Sequence, residues 1–346
     1  MLRPFNFGDV AFVSTGKYLP MKRVTNEVFD GKTLFPYDIN GQRLNGEGVV
    51  CTDKWIRQRT GVVERRRAES FENVATMAAR SIEDALYNGD LCVDRLNGVL
   101  VATVTSSPRY PSGACQTQKH LGINGNMVEF AAHDVGAACA GFGVAVINAA
   151  GRIATGAIDG LIAVSASELL TSEVDYTDQN SPLFGDGAGA VIIGKVGSTD
   201  GLEGRIVGSY EGSYVSDGKS DLIVSDPGGF LRMPEGNKVY KVAVGNMCMA
   251  VANLMDRVGW TNDDLDFVIP HQANIRIIEK VAKESGLGID KVFVNIEKYG
   301  NMSSATCPVA LDEAIEQGRV KEGSKGILVS FGSGLVTSAV ALDYGK

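Results

Sequence analysis

Histidine is scarce in this chain, with three among 346 residues, and tryptophan scarcer, with two. So few imidazoles make the position of each one informative. Six cysteines (51, 92, 115, 139, 248 and 307) include no CxxC pair, which argues against both a disulfide framework and a structural zinc site. Basic charge is in deficit: 33 Lys and Arg stand against 41 Asp and Glu, a net charge of −8, and a general nucleic-acid binder would carry the opposite bias. No apolar run approaches the ~18–20 residues of a membrane span. The opening MLRPFNFGDVAFVSTG lacks the basic, apolar and small-residue regions of a signal peptide. Ten prolines, and glycines without a period of three, exclude a collagen-like chain. An apolar share of 44% excludes disorder as the main state. The expectation is a soluble cytoplasmic protein with free thiols, no metal and no nucleic-acid partner.

What the chain has in excess is glycine, 42 residues or about 12% against a usual share near 7%. Strand-like runs at 98–105, 160–166, 188–193, 266–270, 291–295, 326–331 and 336–343 alternate with helical patterns at 71–87, 139–155, 239–258, 273–285 and 307–317. That alternation predicts an α/β protein with a largely parallel sheet. GRIATGAIDGLIAVSAS (151–167) resembles GRVKEGSKGILVSFGS (318–333), and DRLNGVLVA (94–102) resembles DDLDFVIPH (263–271), at nearly one offset. Two matches at one offset point to an internal duplication. The chain then divides into halves of residues 1–198 and 199–346. Packed about a pseudo-twofold axis, the halves bring Cys139, at the start of one helix, toward His271 and Asn301, which lie at the matching strand and helix ends of the other.

Cys139 sits in GAACAG (136–141), before an apolar helix. A thiol there has its thiolate favoured by unpaired N–H groups, though a cysteine is also a common buried small residue. His271 follows Pro270 in VIPHQANIRII, where a nucleophile's partner or a surface cap both fit. Asn301, in YGNMSSATCP, reads equally as turn chemistry. GDGAGA (185–190) fits G-x-G-x-x-A but leads into a strand, so it reads as tight packing and not as a dinucleotide loop. His133 reads as structural, and the other five cysteines as small buried residues.

Together GAACAG, PHQANIRII and YGNMSSA resemble the β-ketoacyl-acyl-carrier-protein synthase III family, chain-initiating condensing enzymes of the thiolase superfamily. TDKWIRQRTGVVERR (52–66), SGACQTQKHLG (112–122), LFGDGAGAVII (183–193) and ALDEAIEQGRVKEGSKGILVSFGSG (310–334) extend the resemblance, in the family's order, over nearly the whole chain. It implies a thiolase-like five-layered αβαβα fold of two duplicated halves. It implies that Cys139 accepts an acyl group from acyl-coenzyme A, and that His271 and Asn301 hold the thioester carbonyl of malonyl-acyl-carrier protein as carbon dioxide leaves. The backbone N–H groups of Cys139 and Ser333 would form the oxyanion hole, and no cofactor is needed. Trp55, Arg59 and Asn274 match positions that bind coenzyme A. Tyr110 matches one reaching into a partner subunit's acyl pocket, in a homodimer. Arg276, Lys280 and Lys283 would dock the acidic carrier protein.

Three departures from the family's pattern stand out. The stretch 29–51 is longer than expected and could reshape the coenzyme A entrance. Gln179 stands where an arginine often holds the adenine, and FGSGLVTSA (331–339) lacks a tryptophan common after this turn. An acyltransferase of the same fold, moving the Cys139 acyl group to an alcohol or amine, and a non-catalytic partner subunit of a heterodimeric synthase are the alternatives. The complete Cys-His-Asn set argues against both.

Overall fold

The computed structural model describes residues 7–106, 108, 110–123, 129–215 and 220–345. Nine strands form the main sheet: β1 (Val10–Tyr18), β2 (Leu96–Ala102), β3 (Ala131–Val135), β4 (Leu161–Leu169), β5 (Asp186–Lys195), β6 (Gly204–Ser213), β7 (Phe267–Pro270), β8 (Lys325–Gly332) and β9 (Val336–Asp343). The helices are α1 (Asp53–Thr60), α2 (Val74–Asn88), α3 (Gly113–His120), α4 (Gly141–Ala154), α5 (Gly236–Val258), α6 (Ile275–Glu284), α7 (Ile296–Tyr299) and α8 (Thr306–Glu316). Across the sheet the strands run β7-β8-β9-β6-β1-β5-β4-β2-β3.

At its centre this sheet is nearly two. β1 and β6 share only the pairs Ala11–Arg205 and Phe12–Gly204. On one side lies β1-β5-β4-β2-β3, and on the other β6-β9-β8-β7, the same order with its last member reduced. The missing strand is the one expected at 291–295. There the chain forms a short 3-10 turn at Ile289–Lys291 and a single parallel bridge, Val268 to Val292. The buried Gln272 side chain replaces the ladder, donating to Phe293 O at 3.2 Å and accepting from Asn295 N at 3.0 Å.

The largely parallel sheet of the sequence reading is corrected to a mixed one. β2 runs parallel to β3 and β4, and β7 to β8, but the remaining pairs are antiparallel. β8 returns as β9 through residues 333–335, a turn too short for the crossover that parallel strands need.

The helices complete five layers. α2 packs on β1, β4 and β5, and α5 packs on β6, β8 and β9, forming the outer faces. α4 and α8 lie between the half-sheets, each touching strands of both. Composition explains the choice. α4 (GFGVAVINAAGRIA) carries no charge before Arg152, and α8 is buried at every position from Thr306 to Ala314. A helix as apolar as α4 must be covered on all sides, and α8 buries Asp312 and Glu313 as well, paired with Lys17 and Lys298. α2 instead has one apolar stripe and starts at a capping box between Asn73 and Thr76, three residues later than the sequence pattern suggested.

Candidate active site

Two corners of similar backbone face each other in the middle layer. In the first, β3 leads through a 3-10 turn, Ala138–Ala140, into α4. In the second, a 3-10 turn, Ser303–Ala305, leads into α8. Ala138 and Ser303 open these turns at φ of +47° and +48°, a left-handed conformation costly for residues other than glycine and typical of functional sites. Cys139 therefore sits on the turn before α4 and not on the helix itself, and its backbone counterpart is Ser304.

Cys139, His271, Asn301 and Ser333 all line one cavity of about 1460 Å³. Enclosure pushes the Cys139 thiol up to about 11. The neighbouring Ser303 hydroxyl works the other way, and the charge of Glu168 adds to the rise. Cys139 is half-buried and lines the cavity, and the upward direction is opposite to the sequence expectation of a favoured thiolate.

His271 follows β7 directly, its N–H donating to Val329 O at 2.7 Å. It is 2% exposed, and burial brings its pKa down to about 3, so the ring is neutral. Nδ1 lies 2.6 Å from Thr306 Oγ1, the first residue of α8. Asn301 is fixed by its own turn. Its main chain bridges to the residues before β5, with N donating to Leu183 O and O accepting from Gly185 N. Its Oδ1 accepts the Ser303 N–H at 2.8 Å. That bond settles the amide's orientation and leaves Nδ2, a donor, for the cavity.

Gly332 closes the site from the second half. A Cβ there would come within 2.6 Å of Cys139 N and 3.0 Å of Ala140 N. Only glycine lets the end of β8 lie against the Cys139 turn, and it brings Ser333 beside Cys139. GDGAGA is likewise a packing device. Gly187 and Gly189 are strand residues, and a Cβ on Gly189 would strike Val309 N of α8 at 2.7 Å.

Sequence reasoning missed Glu168. Fully buried at the end of β4, it accepts from Thr105 Oγ1 (2.8 Å), Val104 N (3.1 Å) and Thr103 Oγ1 (3.3 Å) on one oxygen, and from Ser304 Oγ (2.8 Å) on the other. It ties the second corner to the 103–105 loop, which lines the cavity, and burial raises its pKa. The available signal was a lone acid ending an apolar strand, LIAVSASELL (161–170).

The proposed binding residues separate. Arg59, Asn274, Arg276 and Gln179 line the cavity. Arg59 stacks over Trp55, its guanidinium 5.2 Å from the ring centroid, but Trp55 is half-buried beside the cavity and does not line it. Asn274 caps α6, accepting from Arg276 N and donating to Arg59 O, each at 3.0 Å. Lys280 is paired with Glu284 at 2.6 Å, and Lys283 is exposed. Tyr110 is 87% exposed and lies outside the cavity. His133 is on β3, also away from the cavity. Cys51 and Cys307 are buried, but Cys92 and Cys115 are exposed, so the expectation of uniformly buried thiols is corrected.

The 29–51 segment reaches the entrance from outside. Phe35 N donates to Thr177 O (2.8 Å), and Gln179 N to Phe35 O (2.9 Å). Beneath it, buried Arg232 binds Asp226, Asp178 and Asp175 at 2.8, 3.0 and 3.1 Å, with its guanidinium 4.2 Å from the Tyr37 ring centroid. Among the described residues no helix is long and apolar enough to cross a membrane.

Comparison with known proteins agrees with this geometry. The family model "3-oxoacyl-[acyl-carrier-protein] synthase III" matches residues 133–212, and the model of its C-terminal part matches residues 255–344. The β-ketoacyl-[acyl-carrier-protein] synthase III of Oceanobacillus iheyensis is 38% identical over 340 residues, covering 98% of this chain and 100% of its own. The crystal structure of 3-oxoacyl-[acyl-carrier-protein] synthase III from Aquifex aeolicus superposes with a TM-score of 0.84 at 34% identity, covering 97% of this chain and 100% of that one. The priming β-ketosynthase of the R1128 polyketide pathway gives 0.83 at 27% identity, covering 99% and 98%. With its sheet order, its paired corners and these relatives in agreement over nearly their full length, the chain belongs to the 3-oxoacyl-[acyl-carrier-protein] synthase III family.

Proposed function

We propose that Cys139, His271 and Asn301 carry out a two-stage condensation of an acyl-coenzyme A primer with malonyl-acyl-carrier protein. In the first stage Cys139 Sγ attacks the thioester carbonyl. The new C–S bond replaces the old one, and coenzyme A leaves with the thiol proton. The developing oxyanion is met by the backbone N–H groups of Cys139 and Ser333, brought together by the close approach of Gly332. In the second stage the malonyl group loses carbon dioxide, and the electron pair of the broken bond spreads onto its thioester oxygen. His271 and Asn301 donate hydrogen bonds to that oxygen. The carbanion attacks the acyl-Cys139 carbonyl, forming the carbon–carbon bond, and Cys139 leaves as thiolate and regains a proton from water. The steps involve no net oxidation, and we assign them no metal or redox cofactor.

The observation that carries this reading is the fixed amide of Asn301. With Oδ1 held by Ser303 N–H, Nδ2 is presented as a donor beside an imidazole that burial keeps neutral. Two neutral donors suit an enolate, since neither protonates the carbanion that must attack. Arg59 and Arg276 at the cavity mouth would receive the phosphates of coenzyme A or of the carrier's prosthetic group, with Asn274 and the Trp55–Arg59 stack shaping that entrance. Arg276, Lys280 and Lys283 would face the carrier protein. We assign a homodimer, with exposed Tyr110 directed to the partner's acyl pocket, a cytoplasmic location, and a boundary between halves at 198/199, within the β5–β6 connection.

The test incubates the protein with a panel of acyl-coenzyme A thioesters and malonyl-acyl-carrier protein, scoring Cys139 acylation and β-ketoacyl product separately by mass spectrometry. Both are expected. Acylation without carbon dioxide release in the presence of the malonyl carrier would sink the condensing reading and favour acyl transfer to another acceptor.

A further inference from the structure

The His271 ring has two nitrogens, and its part in condensation requires the proton to be on the one facing the cavity. That requirement falls on whatever holds the other nitrogen. Nδ1 is buried, and its partner is Thr306 Oγ1 at 2.6 Å. The Thr306 hydroxyl has one proton and two acceptors within reach, Nδ1 and Ser303 O at 3.0 Å.

Two observations favour Nδ1 as the acceptor of that proton. Ser303 O already accepts the backbone N–H of Thr306, so it does not depend on the hydroxyl. The 2.6 Å contact is also shorter than the 2.9–3.0 Å typical of ring N–H donors and closer to the range of hydroxyl donors.

We propose that Thr306 is a positioning residue that sets the tautomer of His271, donating its hydroxyl proton to Nδ1 and so placing the ring proton on Nε2. The inference rests on the condensation reading above and names the residue that makes it chemically possible. Thr306 is itself held in place as the first residue of α8, 1% exposed, directly after the turn that fixes Asn301. One short segment, 301–306, thus presents the Asn301 amide through Ser303 N–H and the His271 imidazole through Thr306 Oγ1. The two donors to the enolate oxygen are set from the same piece of backbone.

Nitrogen NMR of ¹⁵N-histidine-labelled protein, with Thr306→Val and Thr306→Ser variants, tests this. Wild type and Thr306→Ser are expected to show an unprotonated Nδ1 with the upfield shift of an acceptor, and a protonated Nε2. Thr306→Val is expected to lose the acceptor shift at Nδ1 and to move part of the ring proton onto it. In single turnovers, Thr306→Val should acylate Cys139 within about threefold of wild type while condensation from preformed acyl-Cys139 falls roughly 10–100-fold; Thr306→Ser should restore it. A proton on Nδ1 in the wild type overturns the proposal and, with it, the donor role given to His271; a protonated Nε2 that Thr306→Val leaves unchanged, with condensation intact, overturns the proposal alone, and the parent reading stands. Equal losses in both stages for Thr306→Val, or no loss, also overturn it. If Thr306→Val does not fold, the wild-type spectrum and Thr306→Ser decide the matter.

Discussion

Gly332 and Cys139 are in backbone contact across the two halves of the molecule, closely enough that a methyl group on Gly332 would stand 2.6 Å from Cys139 N. The obstacle is main chain on both sides, so no rotamer change relieves it. Gly332→Ala is expected to cost roughly 1–3 kcal/mol of stability as the turn shifts. Acylation of Cys139 should fall about 100-fold, because displacement of reacting groups by an ångström is that expensive. Urea unfolding and single-turnover acylation measure the two. A variant with wild-type acylation would show that the turn is not held by this contact.

The division of labour between the two stages predicts a dissociation. Cys139→Ala abolishes acylation. His271→Ala leaves acylation within about threefold and lowers condensation roughly 100–1,000-fold, the usual effect of removing an oxyanion donor. Loss of acylation in His271→Ala would make the imidazole a base for the thiol and refute the assignment.

Enclosure favours the protonated thiol, so thiolate accumulates only as pH rises toward about 11. The iodoacetamide rate at Cys139 should climb about tenfold per pH unit from pH 7 to 10 without levelling off. Glu168 contributes negative charge to that suppression, so Glu168→Gln should move the profile to lower pH and speed alkylation a few-fold at pH 8. A plateau near pH 7 in the wild type would contradict the buried-thiol account.

Arg232 sits among Asp175, Asp178 and Asp226 with its side chain 3% exposed. Arg232→Ala leaves these carboxylates without their cation, and such a loss costs roughly 3–5 kcal/mol. Because the same cluster underlies the loop carrying Gln179, the KM for acyl-coenzyme A should rise as well. An unchanged KM in a destabilised variant would confine the cluster to folding.

Much of this architecture could be read from the chain before any coordinates. Strands such as GLIAVSA and GILVSF keep their apolar runs in both copies of the repeat, and both lie in the main sheet. The runs at Val10–Tyr18 and Gly204–Ser213 escaped notice because isolated glycines and polar residues interrupt them, and their pairing with neighbours is what fixes them as strands. At 291–295 the pattern was that of a strand, but one buried amide, Gln272, took the hydrogen bonds a strand would have made. Cys139, His271 and Asn301 were legible as motifs. Thr306, Ser303 and Glu168 were not recognised as parts of the site, because hydroxyls and a single acid carry no periodicity and acquire meaning only from what they touch. The backbone also aligns Cys139 with Ser304.

That alignment has a consequence for where reactivity resides. The same strained corner is built twice, once ending in a thiol and once in a hydroxyl, so backbone shape alone does not make a nucleophile. Ser304 is 1% exposed and its Oγ is occupied by Glu168 Oε1 and Ala102 O, at 2.8 and 3.2 Å. The duplicate position is buried and occupied by its hydrogen bonds, so on the proposed reading only the Cys139 corner is open to an acyl group.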